Sequence, residues 1–209
     1  MQEVVLVDNH HGNCRFESVI SDSFGGAYAA TRHLVGLGHR KIGFFLGGLP
    51  MGTFEYRKNG FLSAMFSAGI MPNRAWVIGE SENVELLTAE LRVLLRSDDR
   101  PTAIVAANDH NALMVLRLCS EIGLQVPQDV SVVGFDDIEF ASHVAPALTT
   151  VHVNKELMGR YAVRRLWERI VLRLRTNASG EEMLPPICHT LPVSLIVRES
   201  CGPSRRSST

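Results

Sequence analysis

The pattern that most restricts this chain is the recurrence of short, unbroken apolar runs between longer segments with helical spacing. Residues 4–7 (VVLV), 41–46 (KIGFFL), 102–106 (TAIVA) and 130–135 (VSVVGF) carry almost no polar alternation. Such runs read as strands buried on both faces, the condition of a parallel sheet covered by helices. Between them, Asp22 or Ser23 caps a helix with Ala27, Ala30, Thr31, Leu34 and Val35 on its inner face, ended by Gly36 and Gly38. Further helices are expected over about 55–68 and 84–95, with a short strand near 76–78. Another helix starts at Asn108 or Asp109 and stops at Gly123. Strands alternating with helices of this length imply right-handed crossovers and a doubly wound α/β sheet.

Beyond Asp136 the rhythm lapses into a polar loop, and a long amphipathic helix then carries Met158, Ala162, Leu166 and Ile170 on one side and many arginines on the other. Paired arginines on such a helix read as a solvated face. Residues 177–182 read as a linker, residues 191–197 as a late strand, and the tail as disordered.

A chain of 209 residues, 45% hydrophobic, is long enough to bury a substantial core, and a net charge of -1 removes the usual electrostatic case for a polyanionic partner. The first residues lack the charged, apolar and small-residue regions of a secretory signal, and no apolar run reaches membrane-spanning length, so a cytoplasmic location without a membrane partner is expected. Cys14, Cys119, Cys188 and Cys201 offer neither a zinc frame nor a disulfide framework and read as reduced. His10 and His11 are adjacent but lack a second ligand pair, so no metal site and no cofactor is expected. Asn177-Ala-Ser reads as a chance glycosylation match.

In an open parallel sheet, loops and helix N-termini converge beyond the carboxyl ends of the strands, and ligands bind there. Those ends carry Asp8, Asp22, Asn108, Asp109, Asp136 and Asp137, with Thr53 and Arg57 opening the helix after KIGFFLGG. Carboxylates accept from hydroxyls, arginine donates through a planar fork and asparagine does both, a set suited to a sugar or polyol. Each position also has a structural role open to it: Asp8, Asp22 and Asp109 as caps, Arg57 as a solvated helix residue, and one of Asp136 and Asp137 in an Asx-turn.

Six segments in this order resemble the effector-binding core of the lactose/galactose-repressor (LacI/GalR) family of transcription regulators. They are residues 33–45 (HLVGLGHRKIGFF), 56–61 (YRKNGF), 101–113 (PTAIVAANDHNAL), 123–137 (GLQVPQDVSVVGFDD), 146–151 (PALTTV) and 191–200 (LPVSLIVRES). The resemblance implies a periplasmic-binding-protein-like type I fold of two Rossmann-like lobes joined by three crossovers, with a sugar, nucleoside or similar metabolite as ligand. It implies ligand contacts at Asp8, Asp22, Thr53, Arg57, Asn108 and Asp136, leaving Asp109 as a helix cap. An alanine at Arg57 is then expected to weaken binding without unfolding its lobe.

The same resemblance assigns residues 1–22 and 153–177 to an incomplete N-terminal lobe, 23–152 and 178–199 to a complete C-terminal lobe, and 200–209 to a disordered tail. A helix-turn-helix domain and the first βα units of the N-terminal lobe have no counterpart here, so DNA contact is expected only through a segment outside this chain, exposed apolar surface in the N-terminal lobe is expected to follow, and homodimers are expected of the full-length regulator. A free-standing periplasmic-type sugar-binding protein is the alternative. Catalysis is not expected, because no dinucleotide fingerprint, phosphate-binding loop or nucleophile motif is present.

Overall fold

A computed structural model describes residues 3–9, 15–48, 52–179 and 185–204, the last five residues of its longest helix by backbone alone. His10, His11 and Cys14 lie outside the described residues. The chain divides into two units, residues 1–22 with 154–193 and residues 23–153 with 194–209.

The second unit is a six-stranded sheet. Its strands are β3 (Ile42–Phe45), β4 (Val77–Ile78), β5 (Ala103–Ala106), β6 (Ser131–Asp136), β7 (Thr149–His152) and β9 (Ser194–Ile196), in the order β4-β3-β5-β6-β7-β9. All neighbours are parallel except β7 and β9. Four helices cover it: α1 (Ser23–Gly36), α2 (Thr53–Ser67), α3 (Val84–Arg96) and α4 (Asp109–Glu121). Strand alternation sends neighbouring side chains to opposite faces. Phe44 packs on Phe61 of α2, with ring centroids 5.3 Å apart, while Phe45 joins Leu87, Leu91, Leu95, Val115 and Leu118 from α3 and α4. The apolar runs are therefore unbroken because both faces are covered. Helices α1 and α2 approach so closely that a Cβ at Gly60 would collide with the Phe24 carbonyl.

The first unit contains a three-stranded parallel sheet, β1 (Val5–Val7), β2 (Glu17–Ser21) and β8 (Cys188–Leu191), in the order β1-β2-β8. Helix α5 (Lys155–Ser179) packs on β1 and β2. Its arginines are not uniformly solvated as expected. Arg165, Arg169 and Arg173, spaced by four, turn inward: Arg165 and Arg169 pair with Glu17, and Arg169 and Arg173 with Glu3. Glu17 is 1% exposed and also accepts from His189 Nε2–H at 2.7 Å. Burial pushes its carboxyl up, but the donors from His189, Arg165 and the Ile187 amide outweigh that and hold it below its ordinary value. Val163, Trp167 and Leu174 of α5 are exposed, as is Ile187.

Three boundaries differ from the sequence expectation. Residues 191–197 are not one strand: Pro192 has no amide hydrogen for a ladder, so β8 ends at Leu191 in one sheet and β9 begins at Ser194 in the other. The last crossover accordingly falls after Val193 and not near Asn177, which lies within α5, and residues 178–193 belong to the first unit. The segment from 200 to 204 is packed, not disordered. Ser200 is fully buried, with its hydroxyl donating to the Val132 carbonyl at 2.6 Å and accepting from the Thr149 amide at 2.8 Å. His39 Nε2–H donates to the Gly202 carbonyl at 2.9 Å, and its Nδ1 meets the Thr102 hydroxyl at 2.8 Å. Residues 205–209 lie outside the described residues. The thiols of buried Cys119 and half-buried Cys201 are pushed up to about 12 and about 11 by desolvation.

Candidate functional site

The carboxyl ends of β3, β5 and β6 gather the polar chemistry of the second unit. The centre is an ion pair between Arg57 Nη2 and Asp136 Oδ1 at 2.9 Å. Arg57 lies one turn into α2, whose first residue is Thr53 with Gly52 at the cap. Its guanidinium also donates to the Ala107 carbonyl at 2.6 Å and to Ser23 Oγ at 3.4 Å, and lies 3.8 Å from the centroid of the Phe135 ring. Only 2% of that side chain is exposed, against 25% of Asp136. A solvated role for Arg57 is thus excluded, and an alanine there is expected to cost stability as well as binding. Removing the guanidinium strands a partly buried carboxylate and a buried carbonyl.

The cap expected at Asp109 is supplied by its neighbour Asn108. Asn108 is the N-cap of α4, its side chain accepting from the Asn111 amide at 2.8 Å. Asp109 is not the cap: it sits inside the first turn, fully buried, accepting from Thr150 Oγ1 at 2.6 Å and from the Ile138 amide at 2.8 Å. Burial pushes its carboxyl up to about 6; the two donors oppose this, and the negative charges of Asp136 and Asp137 reinforce it. Gly134 in β6 makes room for it, since a Cβ there would collide with Asp109 Oδ1. Asn111 bridges to the next strand end, donating to the Leu46 carbonyl at 2.7 Å.

Asp137 does not bond the loop backbone through its carboxylate in an Asx-turn. It accepts from Arg198 Nη2 at 2.7 Å and His152 Nδ1 at 2.9 Å. Neither partner was suggested by spacing, because Arg198 is 61 residues away in sequence. Asp8 and Asp22 lie in the first unit. Asp8 follows β1 with φ 52 and accepts from Ser21 Oγ at 3.2 Å, and the Asp22 amide donates to the Leu191 carbonyl at 2.9 Å. The six sequence candidates are therefore divided: Arg57 and Asp136 are in direct contact, Asn108 adjoins the carbonyl that Arg57 binds, Thr53 opens the same helix as Arg57, and Asp8 and Asp22 end strands of the other sheet.

Among the described residues no group of three or more His, Cys, Asp or Glu side chains could hold a metal ion. A cavity of about 420 Å³ in the first unit is lined by Trp167, Val171, Leu172, Pro185 and Ile187 beside Glu17, and none of the six candidates borders it.

The model of a family described as a periplasmic binding protein-like domain matches residues 31–201. This chain belongs to that family. It is a core of the LacI/GalR type within it. The HTH-type transcriptional repressor PurR of Glaesserella parasuis is 34% identical over 197 residues, which are 94% of this chain and 57% of that protein. PurR of Haemophilus influenzae is 39% identical over 158 residues, 76% of this chain and 47% of that protein. The LacI/GalR-type core thus spans about half the length of the curated relatives it matches. Among solved structures, the complex of the transcriptional regulator CelR with cellobiose superposes with a TM-score of 0.81 at 28% identity, covering 96% of this chain and 66% of that one. A LacI family regulator from Enterococcus faecium with bound ribose gives 0.79 at 25% identity, covering 96% and 71%. No described helix is long and apolar enough to cross a membrane.

Proposed function

We propose that this LacI/GalR-type core senses a small, hydroxyl-bearing metabolite, a sugar or a nucleoside, for a transcription regulator. The observation that carries the reading is Asp136, a carboxylate held at the carboxyl end of β6 by a buried arginine while a quarter of its side chain remains exposed. A fixed carboxylate accepts from ligand hydroxyls without first having to be ordered. Asn108 and Thr53 add polar groups at the neighbouring strand ends, and Asp8 and Asp22 are proposed as ligand contacts on the family resemblance. Arg57 serves this site chiefly through Asp136. The ribose and cellobiose held by two structural relatives support a sugar as the first ligand class to try.

Binding without catalysis is the reading throughout, with no cofactor. The relatives are repressors, which favours a cytoplasmic regulator, homodimeric at full length, over a free-standing sugar-binding protein. Every described helix packs into one of the two α/β units and the net charge is -1, so DNA contact is not assigned to these elements. Calorimetric titration with ribose, cellobiose and a set of nucleosides is the test. Affinity on the order of micromolar for one of them, lost in Asp136→Ala, is expected. A folded protein that binds none of them, or binds equally well as Asp136→Ala, would overturn the assignment.

A further inference from the structure

Asp136 and Asp137 adopt φ values of 105 and 47, two consecutive non-glycine residues on the left-handed side of the backbone map. Aspartate visits that region more readily than most residues, yet two in succession persist only where the surroundings over-determine them. Asp136 has Arg57. Asp137 has two donors distant in sequence: Arg198 Nη2 on one carboxylate oxygen at 2.7 Å and His152 Nδ1 on the other at 2.9 Å. Its amide reaches Thr150 Oγ1 at 3.4 Å. Arg198 is itself fixed, its Nη1 donating to the Leu148 carbonyl at 2.8 Å and its amide to Thr149 Oγ1 at 2.9 Å. Burial tends to raise the Asp137 carboxyl, but Arg198 and His152 prevail and hold it below its ordinary value, so Asp137 is gripped as a carboxylate.

We propose that Arg198 and His152 are positioning residues for effector binding: by gripping the two oxygens of Asp137 they hold the preceding residue, Asp136, in the backbone conformation that presents its carboxylate to Arg57 and to ligand. The proposal deepens the reading of Asp136 as an effector contact and rests on it. His152 closes β7 two residues before the second unit gives way to the first, and Arg198 follows β9 shortly after the chain returns. The clamp therefore ties Asp136 to both of those connections.

Labelled protein without ligand provides the direct readout, since a residue with positive φ shows a strong intraresidue amide-to-Hα nuclear Overhauser effect. Wild type is expected to show it at Asp136 and Asp137. Arg198→Gln and His152→Gln should weaken it at both, Arg198→Lys should restore part of it, and Arg117→Gln, exposed on α4, should leave it unchanged. Calorimetry with ribose and cellobiose on the same variants should show affinity falling roughly tenfold in Arg198→Gln while its thermal midpoint stays close to that of the Arg117→Gln control. If Arg198→Gln does not fold, His152→Gln decides, because that side chain is 43% exposed. Unchanged Overhauser effects in folded Arg198→Gln or His152→Gln would overturn the clamp. Failure of wild type to bind either sugar would count against the sensing reading and leave the backbone result to decide the clamp by itself.

Discussion

The two units share one βα vocabulary but are held together differently. In the second, the central strands of a six-stranded sheet are covered on both faces, and Phe44, Phe45, Phe61, Leu91 and Leu95 are almost completely buried. In the first, three strands meet one described helix, and between them lies a ladder of Arg165, Arg169 and Arg173 against Glu17 and Glu3. Apolar burial tolerates acid and salt; ion pairs of this kind depend on the charge state of their carboxylates. The same sequence rhythm thus yields one unit organised by packing and one organised by charge, and substitutions and pH separate them.

The largest effect is expected in the packed unit. Phe61→Ala removes the ring that meets Phe44 and leaves a cavity beneath α2, lowering stability by about 3–5 kcal/mol in denaturant unfolding. Loss below about 1 kcal/mol would mean that α2 collapses into the space. Next comes the charged unit. Glu17→Ala leaves Arg165, Arg169 and His189 without their shared acceptor, at a cost of about 2–4 kcal/mol, with hydrogen exchange rising in β1, β2 and α5 and little in β5 and β6.

Acid sharpens the contrast. The folded pKa of Glu17 is depressed below 4.5, so its stabilisation is present above that value and is lost as pH falls through the folded one. Hydrogen exchange across a series from pH 6 to pH 3 is expected to show β2 opening before β5, and a simultaneous loss would refute the contrast. Asp109 has the opposite sign. Its folded pKa of about 6 lies above the ordinary 3.8, so its contribution is complete below 3.8 and is lost as pH rises through about 6. Asp109→Asn should flatten that part of the second unit's stability profile.

His39 marks a smaller effect. Desolvation holds it below 6.5, so the neutral ring stabilises the packed segment around Gly202 above pH 6.5 and less as pH falls beneath it. His39→Gln, which forfeits the geometry to Thr102 and Gly202, is expected to cost about 1 kcal/mol near pH 7, read from the thermal midpoint. Smallest of all is Trp167→Lys in α5, where the ring is 65% exposed: a change within about 0.5 kcal/mol is expected, and a larger loss would show that the ring supports the unit.

Periodicity and punctuation make the second unit legible in sequence, because a strand covered on both faces leaves an unbroken apolar run and a glycine marks where its helix stops. They fail where one residue overrides the pattern. Pro192 sits inside an apparently continuous strand and divides it between two sheets. The site was legible as a set of polar strand ends, and Arg57 with Asp136 came from that set. Which neighbouring residue caps α4 depended on whether the Asn108 or the Asp109 side chain points back to the helix, and that was decided by the space left at Gly134. Arg198 and His152 could not be found from spacing, since their partner is reached only through the sheet order. The inward arginines of α5 had a visible signal in the lone acid Glu17 beside an apolar strand, but a solvated helix face shows the same spacing of four.

The packing of the last described residues also bears on how the polypeptide is made. Strand β9 and the segment through Ser200 and Gly202 supply the outer edge of β7 and the cover over Ser131 and Val132. A ribosome releases these residues after β8 and α5 have already emerged. Until then the β7 edge offers unpaired amides and carbonyls to any neighbouring strand, so the second unit keeps one open border until that segment arrives.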